Sequence, residues 1–195
     1  MNPFTFFCPT RINFGEGTAF GIIDTLAELG ASNPIIFTDK VLFDNGILDP
    51  IFEQFASAGL PPPPVFTDIP SDSDVEAVRR GIEAANSANV DSIIAVGGGS
   101  VMDTAKVVNI GISIGGDLFE YEGINILNSR LKPFVAIPTT SGTGSEVSAV
   151  AMIKDKSTGK KLLFGSRYLY PDAAILDPAL IVSLPPRLTA ATGMD

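Results

Sequence analysis

Histidine is absent from this chain of 195 residues, and cysteine occurs once, as Cys8. Without imidazole, a Ser-His-Asp or Cys-His catalytic set cannot be assembled. With one thiol and no imidazole, a structural zinc site within the chain is close to excluded. Cys8 cannot form an internal disulfide, which fits a reducing cytoplasm; it reads as a small buried residue without chemistry. No apolar run is long and clean enough to span a bilayer. The N-terminus, Met1-Asn2-Pro3-Phe4, has no basic stretch leading into an apolar core, so no secretory signal is read there. Basic side chains are outnumbered 13 to 22, for a net charge of −9. An acidic chain repels phosphate backbones, which argues against nucleic acid as a partner. Any bound phosphate must then be held by local geometry rather than by a basic surface.

Apolar residues make up 45% and charged residues 18%, a balance that excludes a disordered chain. The length supports one substantial domain, and no repeat or linker divides it. Apolar runs at Pro34–Thr38, Ser92–Val96 and Pro133–Pro138 read as strands buried on both faces. Arg11–Phe14, Val65–Thr67, Val150–Ile153, Leu162–Phe164 and Ala173–Leu176 read as further short strands. Helical spacing runs from Thr18 to Leu29, from Pro50 to Ala58, and from a capping box at Ser73 and Glu76 to about Asn89. Another helix follows the strand ending at Val96 and passes through Val107, Val108 and Ile110. Pro61–Pro64 is a stiff connector. Gly115 to Lys132 reads as a loop with a helical turn, Asp177-Pro178 as a turn, and Pro185-Pro186 as a helix start. Strands alternating with helices predict an α/β fold, a Rossmann-like doubly wound, mostly parallel sheet.

Two segments at the carboxyl ends of buried strands carry the chemistry. Gly97-Gly98-Gly99-Ser100-Val101-Met102-Asp103-Thr104-Ala105-Lys106 joins a strand to a helix. Side-chain-free backbone, unpaired N–H groups and the helix dipole make such a turn a phosphate cradle. Ser100 as a cap and Asp103 as a capping-box acid offer a purely structural alternative. Three consecutive glycines argue against it, since one suffices for a turn. Asp103 and Lys106, three apart, share a helical face, and on spacing alone they read as a surface ion pair. Pro138-Thr139-Thr140-Ser141-Gly142-Thr143-Gly144-Ser145-Glu146 offers hydroxyl donors without bulk. Two such loops would face one crevice, where ligands bind in doubly wound sheets. Asp39, ending a strand, suits a ribose diol and disfavours a 2′-phosphate, although alone it would read as a helix cap. Lys160 and Lys161 read as a solvated hairpin tip.

These two blocks, with Leu184-Pro185-Pro186-x-Leu188-Thr189-Ala190-Ala191-Thr192-Gly193-Met194-Asp195, resemble the iron-containing (group III) alcohol dehydrogenases, from about Pro9 to the last residue. The resemblance implies an N-terminal α/β nucleotide-binding domain of the dehydroquinate synthase type, residues 1–195, lacking the helical domain at whose start it ends. It implies that Gly97, Gly98, Gly99 and Ser100 hold the pyrophosphate of NAD, with Asp103 among the cofactor-binding residues. Asp39 would contact the adenosine ribose, favouring NAD over NADP. Thr139, Thr140, Thr143 and Ser145 would line the crevice, with Met152, Lys161 and Leu180 as further contacts. Asp195 matches the first ligand of Fe²⁺. The histidines that complete the ligand set have no counterpart here, and one carboxylate cannot hold Fe²⁺ against water. The expectation is half of an enzyme that moves hydride between a primary or short-chain alcohol and NAD, inactive by itself. The alternative is a nucleotide-binding module without catalysis. A carbon–oxygen lyase of the dehydroquinate synthase type fits the second and third blocks less well. An apolar face exposed at a domain boundary predicts self-association.

Overall fold

The structure, a computed structural model, describes residues 3–4 and 7–195. Met1 and Asn2, read above for a targeting signal, lie outside the described residues. Nine strands occur among them: β1 (Arg11–Phe14), β2 (Pro34–Phe37), β3 (Val65–Phe66), β4 (Ser92–Gly97), β5 (Gly123–Ile124), β6 (Phe134–Pro138), β7 (Val150–Asp155), β8 (Lys160–Gly165) and β9 (Ala173–Leu176). The α-helices are α1 (Ile22–Glu28), α2 (Lys40–Asp44), α3 (Asp49–Ser57), α4 (Val75–Ser87), α5 (Gly99–Ser113) and α6 (Pro186–Gly193).

Six strands form one sheet in the order β1-β9-β6-β4-β2-β3, every pair parallel. The runs that read as buried on both faces are so, because helices cover both sides. Ile35, Phe37, Ile93, Ala95, Phe134 and Ala136 point to one face, under α4 and α5. The alternate residues Ile36, Ile94, Val96, Val135 and Ile137 point to the other, under α1 and α3. The chain leaves β2 for β3 in one direction and returns through β4 on the other side. The order therefore reverses between β2 and β4, which opens a crevice at their carboxyl ends. The expected α/β architecture is present.

A second, three-stranded sheet, β5-β8-β7, joins an antiparallel hairpin to a parallel β5. The two-residue β5 lies in the stretch expected to be loop. The β7–β8 hairpin buries Ala151, Ile153, Leu162 and Phe164 against the α4/α5 side of the core. The five-residue α2 also went unread.

Three expectations, and the structural alternative raised for Ser100 and Asp103, need correction. The helix at 75–87 is capped by Asp74, whose Oδ1 accepts from Ala77 N at 2.8 Å. The Ser73 hydroxyl instead pairs with Thr104 on α5, so the Ser73–Glu76 capping box does not form. Likewise α5 starts from Gly98 with no side-chain cap; Ser100 and Asp103 lie inside the helix. Cys8 is half-buried rather than buried. Lys160 and Lys161 belong to the start of β8, just past the hairpin turn.

Candidate functional site

Local chemistry builds the crevice from the strand ends. Gly97, the last residue of β4, pairs in register with Pro138, the last of β6. Thr139 N then donates to Gly97 O at 3.1 Å, so the two loops leave the sheet side by side. They touch further out. A Cβ at Gly98 would stand 3.0 Å from Thr140 Oγ1, and one at Gly99 would stand 3.0 Å from Thr143 Cγ2. Side chains at either glycine would fill the groove between turn and loop. One side of the groove is the α5 N-terminus, whose first N–H groups have no side-chain acceptor. Ser100 Oγ donates to Ser71 O at 2.5 Å, which ties the segment after β3 to the same rim.

The register of β2 with β4 places Phe37 beside Ala95, so Asp39 leaves the sheet beside Gly97. Its Oδ1 caps α2, accepting from Leu42 N at 2.9 Å; Oδ2 takes no hydrogen bond among the described residues. The structural role and a ligand role are thus compatible, one per oxygen. Thr38, one residue earlier, is fully buried with its hydroxyl unpartnered.

Asp103 and Lys106 are not the surface ion pair that spacing suggested. The hairpin covers this face of α5. Asp103 accepts from Ser145 Oγ at 2.7 Å and from Met152 N at 2.9 Å. Burial pushes its carboxyl pKa up, against the pull of those two donors and of Lys106 and Lys161. Lys106 is buried, and desolvation lowers its pKa to about 8, against the opposing charges of Asp103 and Glu146.

The remaining residues named from sequence fall into three groups. Thr139 and Ser145 are buried in the loop's base, while Thr140 is half-buried and Thr143 exposed on the groove side. Met152 and Lys161 stand exposed on the hairpin beside Asp103, with Lys161 Nζ 3.5 Å from Asp72. Leu180 is not brought to the groove surface; it packs into the core under α1 and α3. Asp195 is exposed, yet close to the loop: a Cβ at Gly142 would lie 2.1 Å from Thr192 O and 3.0 Å from Asp195 Cβ. Among the described residues no three His, Cys, Asp or Glu side chains converge.

Sequence reasoning missed Ser71, Thr38 and the acceptors of Lys106, all of which depend on contacts distant in sequence. A cleft of about 460 Å³ opens away from the glycine turn, near the start of β6 and β9, lined by Asn109, Arg130, Lys132, Arg167, Tyr168 and Asp172 among others. It includes none of Gly97–Ser100 and no residue of the threonine-rich loop, although Lys106 of α5 is among its lining residues.

The family profile for iron-containing alcohol dehydrogenase matches residues 9–178. Choline dehydrogenase of Bacillus subtilis (strain 168) is 37% identical over 194 residues, covering 98% of this chain and 48% of that protein. NAD-dependent methanol dehydrogenase of Bacillus methanolicus is 34% identical over 190 residues, covering 97% and 50%. The chain spans about half the length of these curated relatives. Among solved structures, a 1,3-propanediol oxidoreductase superposes with a TM-score of 0.94 at 32% identity, over all of this chain and 50% of that one. Sulfoacetaldehyde reductase from Bifidobacterium kashiwanohense, solved in complex with NAD⁺, gives 0.88 at 32% identity, over all of this chain and 51% of that one. On the matched profile, the relatives and the shared fold, the chain belongs to the iron-containing alcohol dehydrogenase family.

Proposed function

We propose that residues 1–195 are the NAD-binding α/β domain of an iron-dependent alcohol dehydrogenase, reaching to the start of its metal-binding helical domain. One observation carries this reading: the uncapped α5 N-terminus lies in contact with the threonine-rich loop, and only glycines keep the space between them open. Such a cradle fits a pyrophosphate, since backbone N–H groups and the helix dipole supply the positive end without a lysine. The chemistry NAD supplies when bound is that of a two-electron hydride acceptor or donor.

The chain's own residues bind and orient. The N–H groups of Gly99 and Ser100 receive the pyrophosphate. The free Oδ2 of Asp39 accepts from the adenosine ribose, and its charge repels a 2′-phosphate, which favours NAD over NADP. Thr140 and Thr143 offer hydroxyls along the groove. Ser145 and Asp103 fix the loop and hairpin against α5. Met152 and Lys161 flank the hairpin side, Lys161 adding a positive charge. The residues present do not form an iron site, and no step is assigned through iron. The substrate class is a primary or short-chain alcohol or its aldehyde, with no turnover by this chain alone.

No helix among the described residues is long and apolar enough to cross a membrane, and a cytoplasmic setting accords with the lone cysteine. Exposed Phe14 and Val182, with Leu176, Pro178 and Ile181, form an apolar surface at the end of β1 and β9, and we assign it to self-association.

Calorimetry with NAD tests the cofactor reading. Binding of NAD, with NADP at least 10-fold weaker, is expected; no binding of NAD or of ADP-ribose overturns it. An assay with NAD, Fe²⁺ and a panel of alcohols separates module from enzyme: turnover close to that of a full-length relative would refute the predicted inactivity.

A further inference from the structure

Lys106 has 1% of its surface exposed, and among the described residues it makes no ion pair. A buried ammonium without a bonded carboxylate is costly and calls for another reason. Its three protons have three acceptors: Ser148 O at 2.9 Å, Ser148 Oγ at 3.1 Å and Val150 O at 2.9 Å. One turn earlier on the same face of α5, Asp103 binds Ser145 Oγ and Met152 N. Five hydrogen bonds from two side chains thus fasten residues 145–152, the link between the threonine-rich loop and the hairpin. Within that link Ser145–Val147 form a single 3-10 turn and Val150–Met152 open β7, which leaves Ser148 and Ala149 as the stretch outside regular structure, with Ser166 N donating to Ala149 O at 3.0 Å. The opposite side of the groove is the N-terminus of α5 itself. The helix that forms one wall therefore holds the other wall at a set distance.

We propose that Lys106 is a positioning residue that, with Asp103, clamps residues 145–152 to α5 and so sets the width of the cofactor groove. The proposal rests on the cofactor reading above. It also implies a pH dependence. The charges facing the Lys106 amine are Asp103 on its own helix and Glu146 on the loop, with Lys161 of β8 facing Asp103 from beyond. Burial outweighs the two carboxylates and brings the amine to about 8. Below that pH all three acceptors are served. Above it the neutral amine keeps two protons, one acceptor loses its donor, and the clamp slackens.

The test uses the whole chain with Lys106→Met and Lys106→Arg. Far-ultraviolet circular dichroism checks the fold, calorimetry gives the NAD Kd, and hydrogen exchange follows the amides of 145–152 without ligand. The expectation for Lys106→Met is at least 10-fold weaker NAD binding and at least 10-fold faster exchange confined to 145–152. Lys106→Arg restores most of both. Wild-type affinity falls several-fold from pH 7 to 9.5, and that of Lys106→Arg stays flat. Lys106→Met binding NAD as tightly as wild type, with only a lower Tm, would make the lysine merely structural and overturn the proposal. Should wild type not bind NAD, the cofactor reading fails, and exchange at 145–152 still decides the clamp: unchanged rates refute it. Should Lys106→Met not fold, Lys106→Arg and Ser148→Ala carry the same measurements. Ser148→Ala removes the hydroxyl acceptor, and faster local exchange is expected there too.

Discussion

A missing side chain at Gly99 serves the ligand rather than the fold. Gly99 lies in the first turn of α5, where its backbone has no need of a positive φ. The atoms nearest to a methyl there all belong to Thr143, an exposed loop residue able to yield a few tenths of an ångström. Alanine also favours the helix over glycine by about 1 kcal/mol. Gly99→Ala should therefore leave stability within about 1 kcal/mol of wild type while weakening NAD at least 10-fold, because the methyl fills the cradle. Urea denaturation and calorimetry read the two quantities separately, and unchanged affinity would remove Gly99 from the binding surface. Gly97 differs: a Cβ there would press within 2.6 Å of Val101 Cγ2, so its absence is a packing requirement. Adjacent glycines thus have different reasons, and spacing alone cannot separate them.

Among the elements, the β7–β8 hairpin stands on Asp155. Its carboxylate accepts from Ser157 N, Ser157 Oγ and Thr158 Oγ1 at 2.6–2.8 Å and closes the turn. The Thr158 and Ser157 hydroxyls, in that order, hold its pKa down to about 2, below the ordinary carboxylate value. A carboxyl depressed by folding contributes stability above its unfolded pKa, and that contribution is lost as pH falls towards the folded value. Wild type should therefore lose stability between about pH 4 and pH 2, and Asp155→Asn should lose less over the same range. Urea midpoints against pH for the two proteins check this; parallel curves would show the turn indifferent to Asp155. Legibility in the sequence varied in the same physical terms. Ile35–Phe37, Ile93–Val96 and Val135–Ile137 were readable because burial on both faces leaves continuous apolar runs. The glycine turn and the threonine-rich loop were readable because their composition departs from any plain turn. The Asp74 cap was not, because what excludes Ser73 is Thr104, 31 residues away. Nor was the role of Lys106: helical spacing fixes which face it shares with Asp103, but only the hairpin's packing decides that this face is covered.

At the scale of the molecule the two sheet edges are treated differently. β3 has two residues and follows four prolines, which cannot donate to a neighbouring strand. β1 has no such guard, and it exposes half of Ile12 and three-quarters of Phe14. Self-association should therefore run through the β1 side, beside Val182. Light scattering of wild type should give a mass above 20.4 kDa, and Phe14→Lys should shift it towards the monomer; a wild type that stays monomeric at high concentration would rule this out. The net charge of −9 opposes association only weakly at physiological salt, where exposed charges are screened beyond about 8 Å.

Gly142 joins these scales. At φ +97° it admits the carbonyl of Thr192 and the Cβ of Asp195 into the space a side chain would occupy. Its loop leans on the glycine turn at one end and on α6 at the other. A side chain at Gly142 would evict Thr192 O and crowd Asp195, so this one glycine is the keyhole through which the last turn of α6 reaches the threonine-rich loop.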